Sequence, residues 1–241
     1  MRYAVIAAGS GSRLANEGVY LPKPLVKLNG EHLIERLIRI FMNNDASEIL
    51  VICNKQMHEV CQYLAEIENN GLNGMEIPLQ VVVKTTPSSM HSFYELSSRL
   101  QGKNPFILTT VDTVFREDEF AKYVAVFQSE VEKECDGLMA VTDYVDDEKP
   151  LYVRTDSELN ITGFYDSQNG CSYISGGIYG LTPLVMDTLQ ACIDRGESHM
   201  RNFQRALIAD GRALRTFVFS KILDIDHKSD VLKAEAFLRE W

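Results

Sequence analysis

A series of short apolar runs, separated by stretches of helical period, restricts the fold of this chain more than any other feature. The runs are YAVIAA (3–8), EILVIC (48–53), LQVVVK (79–84), FILTTVD (106–112), GLMAVTD (137–143), YISGGIYGL (173–181) and LRTFVFS (214–220). Each has the length of a strand and little polar alternation, the pattern of strands buried on both faces. Between the first three runs, Leu33, Ile34, Leu37, Ile38 and Phe41, then Val60, Leu64 and Ile67, recur at helical spacing and predict crossover helices. Strand and helix in this alternation predict a three-layer α/β/α fold around a mainly parallel sheet with a Rossmann-like half. After Asp143 the rhythm changes. LYVRTD and ITGFYDS, joined by SELN, predict an antiparallel hairpin inserted late in the sheet. Further helical segments follow over 183–195, 198–210 and 230–240, the second closed by Gly211. No Gly/Ser-rich linker, low-complexity tract or internal repeat interrupts the chain, so residues 1–241 are expected to form one domain.

Charge and cysteine content narrow the function classes. Lys and Arg number 24 against 34 Asp and Glu, a net charge of -10, which repels a polyanion and makes nucleic acid an unexpected partner. No run approaches the roughly 18 apolar residues of a membrane span. The apolar run Tyr3 to Ala8 is also too short for a signal-peptide core. Cys53, Cys61, Cys135, Cys171 and Cys192 show no C-x-x-C spacing, so neither a disulfide framework nor a zinc knuckle is expected, and the compartment read from them is reducing, hence cytoplasmic.

The first strand runs into Ala7-Ala8-Gly9-Ser10-Gly11-Ser12-Arg13, where glycines let backbone N–H groups approach an anion. The dinucleotide fingerprint G-x-G-x-x-G fails because Leu14 stands at the third glycine, and the P-loop pattern fails outright. What remains is G-x-G-x-R followed by Pro22-Lys23-Pro24-Leu25. A turn and a solvated lysine would explain each part alone. Two prolines around a lysine, however, fix the backbone and preset where its ammonium points. Loop and lysine together offer backbone donors, a guanidinium and an ammonium to a polyphosphate.

AAGSGSRL followed by LPKPLVKLNGEHLIER resembles the signature of the nucleoside-triphosphate transferases, which include sugar nucleotidyltransferases and their cytidylyl and guanylyl relatives. The resemblance implies that Ala7, Ala8, Gly9, Ser10, Gly11 and Arg13 wrap a triphosphate and that Lys23 contacts the phosphates at the reacting centre. It implies a metal-binding Asp at Asp112, at the end of FILTTVD, where Val111 replaces the family's frequent glycine. A second metal-binding carboxylate falls in Lys221-Ile222-Leu223-Asp224-Ile225-Asp226-His227. Alignment by the following helix favours Asp224, while alternation along an extended segment points Asp226 to the same side, as a substitute or an outer neighbour. Two carboxylates and substrate phosphates suit Mg²⁺, a hard and partly hydrated cation. His227 reads as a helix-entry residue, and His32, His58, His91 and His199 as helix residues without metal spacing.

The resemblance also assigns Ser88 and Ser89 to nucleoside contact, though both are ordinary helix-start residues and Ser89 stands where relatives carry glycine. Ser175, Gly176 and Gly177 resemble the segment facing the acceptor; two glycines in an apolar strand also suit a bulge. The Glu-Lys-Pro whose lysine holds a sugar phosphate is absent from Gly163-Phe164-Tyr165-Asp166-Ser167, and Lys149 reads as an exposed residue of an acidic loop. The activity implied is Mg²⁺-dependent transfer of a nucleoside monophosphate from a nucleoside triphosphate to a small phosphorylated acceptor, a sugar 1-phosphate or a phospho-alcohol such as phosphocholine. Two alternatives stay open: a glycosyltransferase of the related nucleotide-sugar fold, whose Asp-x-Asp is missing at Asp112-Thr113-Val114, and a non-catalytic nucleotide-binding module.

Overall fold

A computed structural model describes residues 1–239 apart from Ser10 and Lys103. In chain order the strands are β1 (Arg2–Ala7), β2 (Lys27–Leu28), β3 (Glu31–His32), β4 (Glu48–Cys53), β5 (Leu79–Val83), β6 (Phe106–Thr110), β7 (Thr113–Val114), β8 (Gly137–Thr142), β9 (Tyr152–Thr155), β10 (Ile161–Tyr165), β11 (Tyr173–Leu181), β12 (Leu214–Val218) and β13 (Leu223–Asp224). The α-helices are α1 (Ser12–Asn16), α2 (Leu33–Met42), α3 (His58–Asn70), α4 (Ser89–Leu100), α5 (Glu117–Val131), α6 (Met186–Asp194), α7 (Met200–Ala209) and α8 (Lys228–Arg239).

The main sheet runs β10-β9-β11-β6-β1-β4-β5, with β8 on the other edge of β11 and β12 beyond it. Strands β5, β4, β1 and β6 are parallel, as is β12 to β8. β11 runs against β6, β8 and β9. The predicted late hairpin is β9–β10, antiparallel at the sheet's edge. Alternate side chains of the central strands enter different layers. Tyr3, Val5 and Ala7 join a core with α2, α3, α5 and α8, whereas Ala4, Ile6 and Ala8 join a core with α4, α6 and α7. Strands embedded in both layers are necessarily apolar throughout, which is the origin of the runs in the sequence.

The second layer is anchored by Phe93 of α4, whose ring lies 6.0 Å from Phe106 and 5.5 Å edge-on from Phe203, all fully buried. Phe93→Ala is expected to cost about 3–5 kcal/mol of unfolding free energy, the range for an emptied aromatic site. Urea unfolding measures it; a loss under about 1 kcal/mol would mean that the layer closes over the gap.

Chain order reverses between β1 and β6, because β1 passes to β4 on one side while β6 returns on the other. The crevice beyond the carboxyl ends of the strands at such a reversal is where open α/β sheets gather ligand groups. Here it lies between the loop after β1 and the Asp112 turn after β6. β11 carries a bulge beside it, with the register shifting between Ser175 and Tyr179 against β8. On the opposite edge of β11, β6 pairs only as far as Ile178 and β9 takes over at Ile174.

A candidate active site at the sheet reversal

Gly11 adopts φ +62°, and a Cβ there would sit 3.4 Å from Cβ of Lys23, so the glycine loop and the proline-flanked lysine pack directly on each other. Lys23 opens a short 3-10 turn, Lys23–Leu25, with Pro22 and Pro24 fixing its entry. Its ammonium donates to Asp112 Oδ2 at 2.7 Å and to Asp226 Oδ1 at 2.8 Å. Arg13, half-exposed, donates to Asp226 Oδ2 at 2.7 Å. Arg13, Lys23, Asp112 and Asp226, taken from separate stretches of the chain, thus form one connected charge cluster.

Asp224 stands apart. It lies opposite Thr113 in the antiparallel pairing of β7 with β13, and Thr113 Oγ1 reaches its Oδ1 at 3.4 Å. Asp224 is exposed to solvent where it opens into the adjoining cavity. Protein crowded around its carboxyl, followed by the nearby negative charges of Asp112, Asp147 and Asp226, raises it above the ordinary carboxylate range. Asp112 behaves oppositely: burial opposes its charged form, but Lys23 and the Thr110 hydroxyl override this and hold it below its ordinary value. Burial likewise disfavours the Lys23 ammonium, yet Asp112 and Asp226 together keep its pKa raised.

Asp112 and Asp224 lie near enough to feel each other's charge, and among the described residues Asp224 makes no ion pair, so the two carboxylates fit a divalent cation. Among the described residues no three His, Cys, Asp or Glu side chains come together as a closed metal cage. A cation at Asp112 and Asp224 would therefore keep positions for water and phosphate, as Mg²⁺ does. The histidines do not gather there. His32 belongs to β3 and His199 precedes α7 with φ +71°, so neither is within a helix. His227 lies before α8 and bonds Glu17 through Nδ1 at 2.6 Å.

A cavity of about 210 Å³ adjoins the acids, lined among others by Arg13, Ser175, Gly176, Asp224, Asp226 and Lys233. Gly177 does not line it and is turned toward Thr110 and Thr113. Ser175 donates its hydroxyl to Gln204 at 2.9 Å. Lys149 is exposed, and Asp166, at the place of the missing lysine, is neutralised by Arg201 at 2.9 Å and Arg205 at 2.7 Å.

On the nucleotide side, Ala7 ends β1 and is buried with Ala8, while Gly9 is exposed with open space where a Cβ would stand. Ser10 lies outside the described residues. Ser88 is the N-cap of α4, its hydroxyl accepting from the backbone of His91 at 3.4 Å and of His199 at 3.3 Å. Ser89 opens α4 and is half-buried. In the sequence Asn54 reads only as a non-acidic residue after the second apolar run, where a dinucleotide fingerprint would place an acid for the ribose. Its amide donates to Ala8 O at 3.3 Å and its Oδ1 accepts from Thr85 at 2.7 Å, tying together the ends of β1, β4 and β5. A buried Asn directly after an apolar strand was the available signal.

The sequence matches the family described as nucleotidyl transferase over residues 3–240. Among curated proteins it is similar to a bifunctional IPC transferase and DIPP synthase of Thermococcus kodakarensis, 27% identical over 119 residues, 48% of this chain and 24% of that protein. It also resembles a glucose-1-phosphate cytidylyltransferase of Salmonella typhimurium, 23% identical over 65 residues, 27% of this chain and 25% of the relative. The aligned parts thus span about a quarter of each of these relatives. Among solved structures, the fold superposes on the inositol-1-phosphate CTP transferase from T. maritima with a TM-score of 0.80 at 18% identity, covering 99% of this chain and 96% of that one. It superposes on a CTP:phosphocholine cytidylyltransferase from Streptococcus pneumoniae with a TM-score of 0.73 at 18% identity, covering 98% of each. With the family match running almost from end to end of a fold that it shares with these transferases, the chain belongs to the nucleotidyl transferase family.

Proposed function

We propose that this nucleotidyltransferase moves a nucleoside monophosphate from a nucleoside triphosphate to a small phosphorylated acceptor, with release of pyrophosphate and dependence on Mg²⁺. The observation that carries the reading is the charge cluster at the sheet reversal: Lys23 and Arg13 from the glycine-loop side meet Asp112 and Asp226, with Asp224 beside them. An oxygen of the acceptor's phosphate attacks the α-phosphorus, and the bond from that phosphorus to the bridging oxygen of the β-phosphate breaks. The attacking oxygen is already anionic near neutral pH, so the chain needs no strong general base. Its work is alignment and charge stabilisation.

In this reading Gly9, Gly11 and the backbone at Ala7 and Ala8 cradle the triphosphate. Lys23 turns from the carboxylates to the phosphates, and Arg13 does the same from the rim. Asp112 and Asp224 would hold Mg²⁺, which would supply positive charge to neutralise the phosphates. Ser175 and Gly176 line the cavity that receives the acceptor, a sugar 1-phosphate or a phospho-alcohol. The expected result is pyrophosphate release in a matrix of the four common triphosphates against phosphorylated acceptors, abolished by EDTA and restored by Mg²⁺. Tight nucleotide binding without product from any acceptor would instead favour a binding module, and consumption of a nucleotide sugar without triphosphate a glycosyltransferase.

A further inference from the structure

Behind the two candidate metal carboxylates lies a pair of hydroxyls that the proposed reaction does not use. Thr110 ends β6 and Thr113 opens β7; their side-chain oxygens are 2.6 Å apart. Thr113 is 1% exposed. It stands in register opposite Asp224, toward whose Oδ1 it points. The backbone closes the same unit from the other side, where Ile225 N donates to Asp112 O at 3.1 Å. Gly177 makes room for the pair. It has φ +72°, and a Cβ on it would lie 2.8 Å from Thr113 Oγ1 and 3.2 Å from Thr110 Oγ1. Any side chain at 177 would therefore be strained in its backbone and would displace the hydroxyls.

Resting on the metal reading of Asp112 and Asp224, we infer that Thr113, with Thr110 behind it, is a positioning residue that holds the Asp224 carboxylate at a fixed orientation for the cation. Gly177 then serves this device and does not face the acceptor. A hydroxyl buried beside an acid is otherwise expensive to keep, since it must be bonded to remain there. With Asp224 charged, Thr110 donates to Thr113 and Thr113 donates to Asp224, which fixes one carboxylate oxygen and turns the other outward. The last link is long at 3.4 Å, as such bonds often are before ligand binds. Outer hydrogen-bond partners of this kind typically change metal affinity about 10–100-fold.

The test is Mn²⁺ alone, titrated against the protein and followed by loss of the free-ion EPR signal. Wild type is expected to take up Mn²⁺ at a site lost in Asp224→Asn. Thr113→Val, similar in shape but without the hydroxyl, is expected to weaken that site about tenfold, and Thr113→Ser to restore it. Thermal melts identify a variant that fails to fold; should Thr113→Val be one, Thr110→Val decides, with the same weakening expected. Wild-type Mn²⁺ affinity in the folded valine variant overturns the positioning role while leaving the metal site standing. A wild type that takes up no Mn²⁺, or an Asp224→Asn that binds it fully, removes the metal reading and the positioning role together.

Discussion

Lys23→Ala is expected to keep the fold and to release pyrophosphate more slowly than wild type by on the order of 100-fold or more, the loss typical of one well-placed charge in a transition state. Lys23 is the sole residue bonded to both Asp112 and Asp226 among the described residues, at 2.7 and 2.8 Å, and Gly11 packs on its Cβ position. Without ligand the ammonium neutralises the acids; in the proposed reaction the same ammonium lies within the crevice that would receive the triphosphate. Its side chain is only 11% exposed, so the broader guanidinium of Lys23→Arg is not accommodated without displacing the loop. That variant is expected to remain impaired although it keeps the charge. The melting temperature of Lys23→Ala should fall, because Asp112 loses the partner that offsets its burial. Wild-type turnover by purified, folded Lys23→Ala at saturating Mg²⁺ would defeat the assignment.

The second large effect sets activity against stability. Asp224→Asn is expected to lose on the order of 100-fold or more in turnover and, in metal-free buffer, to melt at a higher temperature than wild type. A carboxyl whose folded pKa is raised above its unfolded value binds more protons in the folded state between the two values. Stability therefore falls as pH climbs through that window, and the full penalty persists above it. Asparagine removes the penalty, so the variant should lack this part of the wild-type decline. Asp112, lowered by Lys23, contributes in the opposite sense: its stabilisation is present above the ordinary carboxylate range and is lost as pH drops through the folded value. Asp226→Asn should be the milder lesion in turnover and the harsher one in stability, since it releases both Lys23 and Arg13. Differential scanning calorimetry in EDTA, paired with turnover, reads both quantities. If Asp226→Asn is the more inactive variant, the cation ligand is Asp226 and the assignment is shifted by two residues.

The layered sheet was legible because burial on both faces leaves an unmistakable apolar signature, and the order of crossover helices followed from it. The direction of β11 was not, since YISGGIYGL, apolar on both faces, reads alike whether it runs with or against its neighbours. Arg13 and Lys23 were legible as types at fixed local spacing after the first strand, and Asp112 and Asp226 through the family resemblance. Their mutual bonds were not, because Asp226 joins them only through tertiary folding. The pairing of β7 with β13 involves two residues on each strand, too few to show any period. The small hairpin of β2 and β3 did carry a signal that was passed over: Asn29 and Gly30, both with positive φ, are the residues of a tight two-residue turn. Ser88 shows the reverse difficulty, since a helix cap and a nucleoside contact ask for the same side chain.

The pairing of β7 with β13 also sets when the crevice can first close during synthesis. Asp112 leaves the ribosome with the front half of the sheet, but its companion emerges only after β12 has been made. Nascent chains therefore expose the loop after β1 and the Asp112 turn well before β13 arrives to close over them.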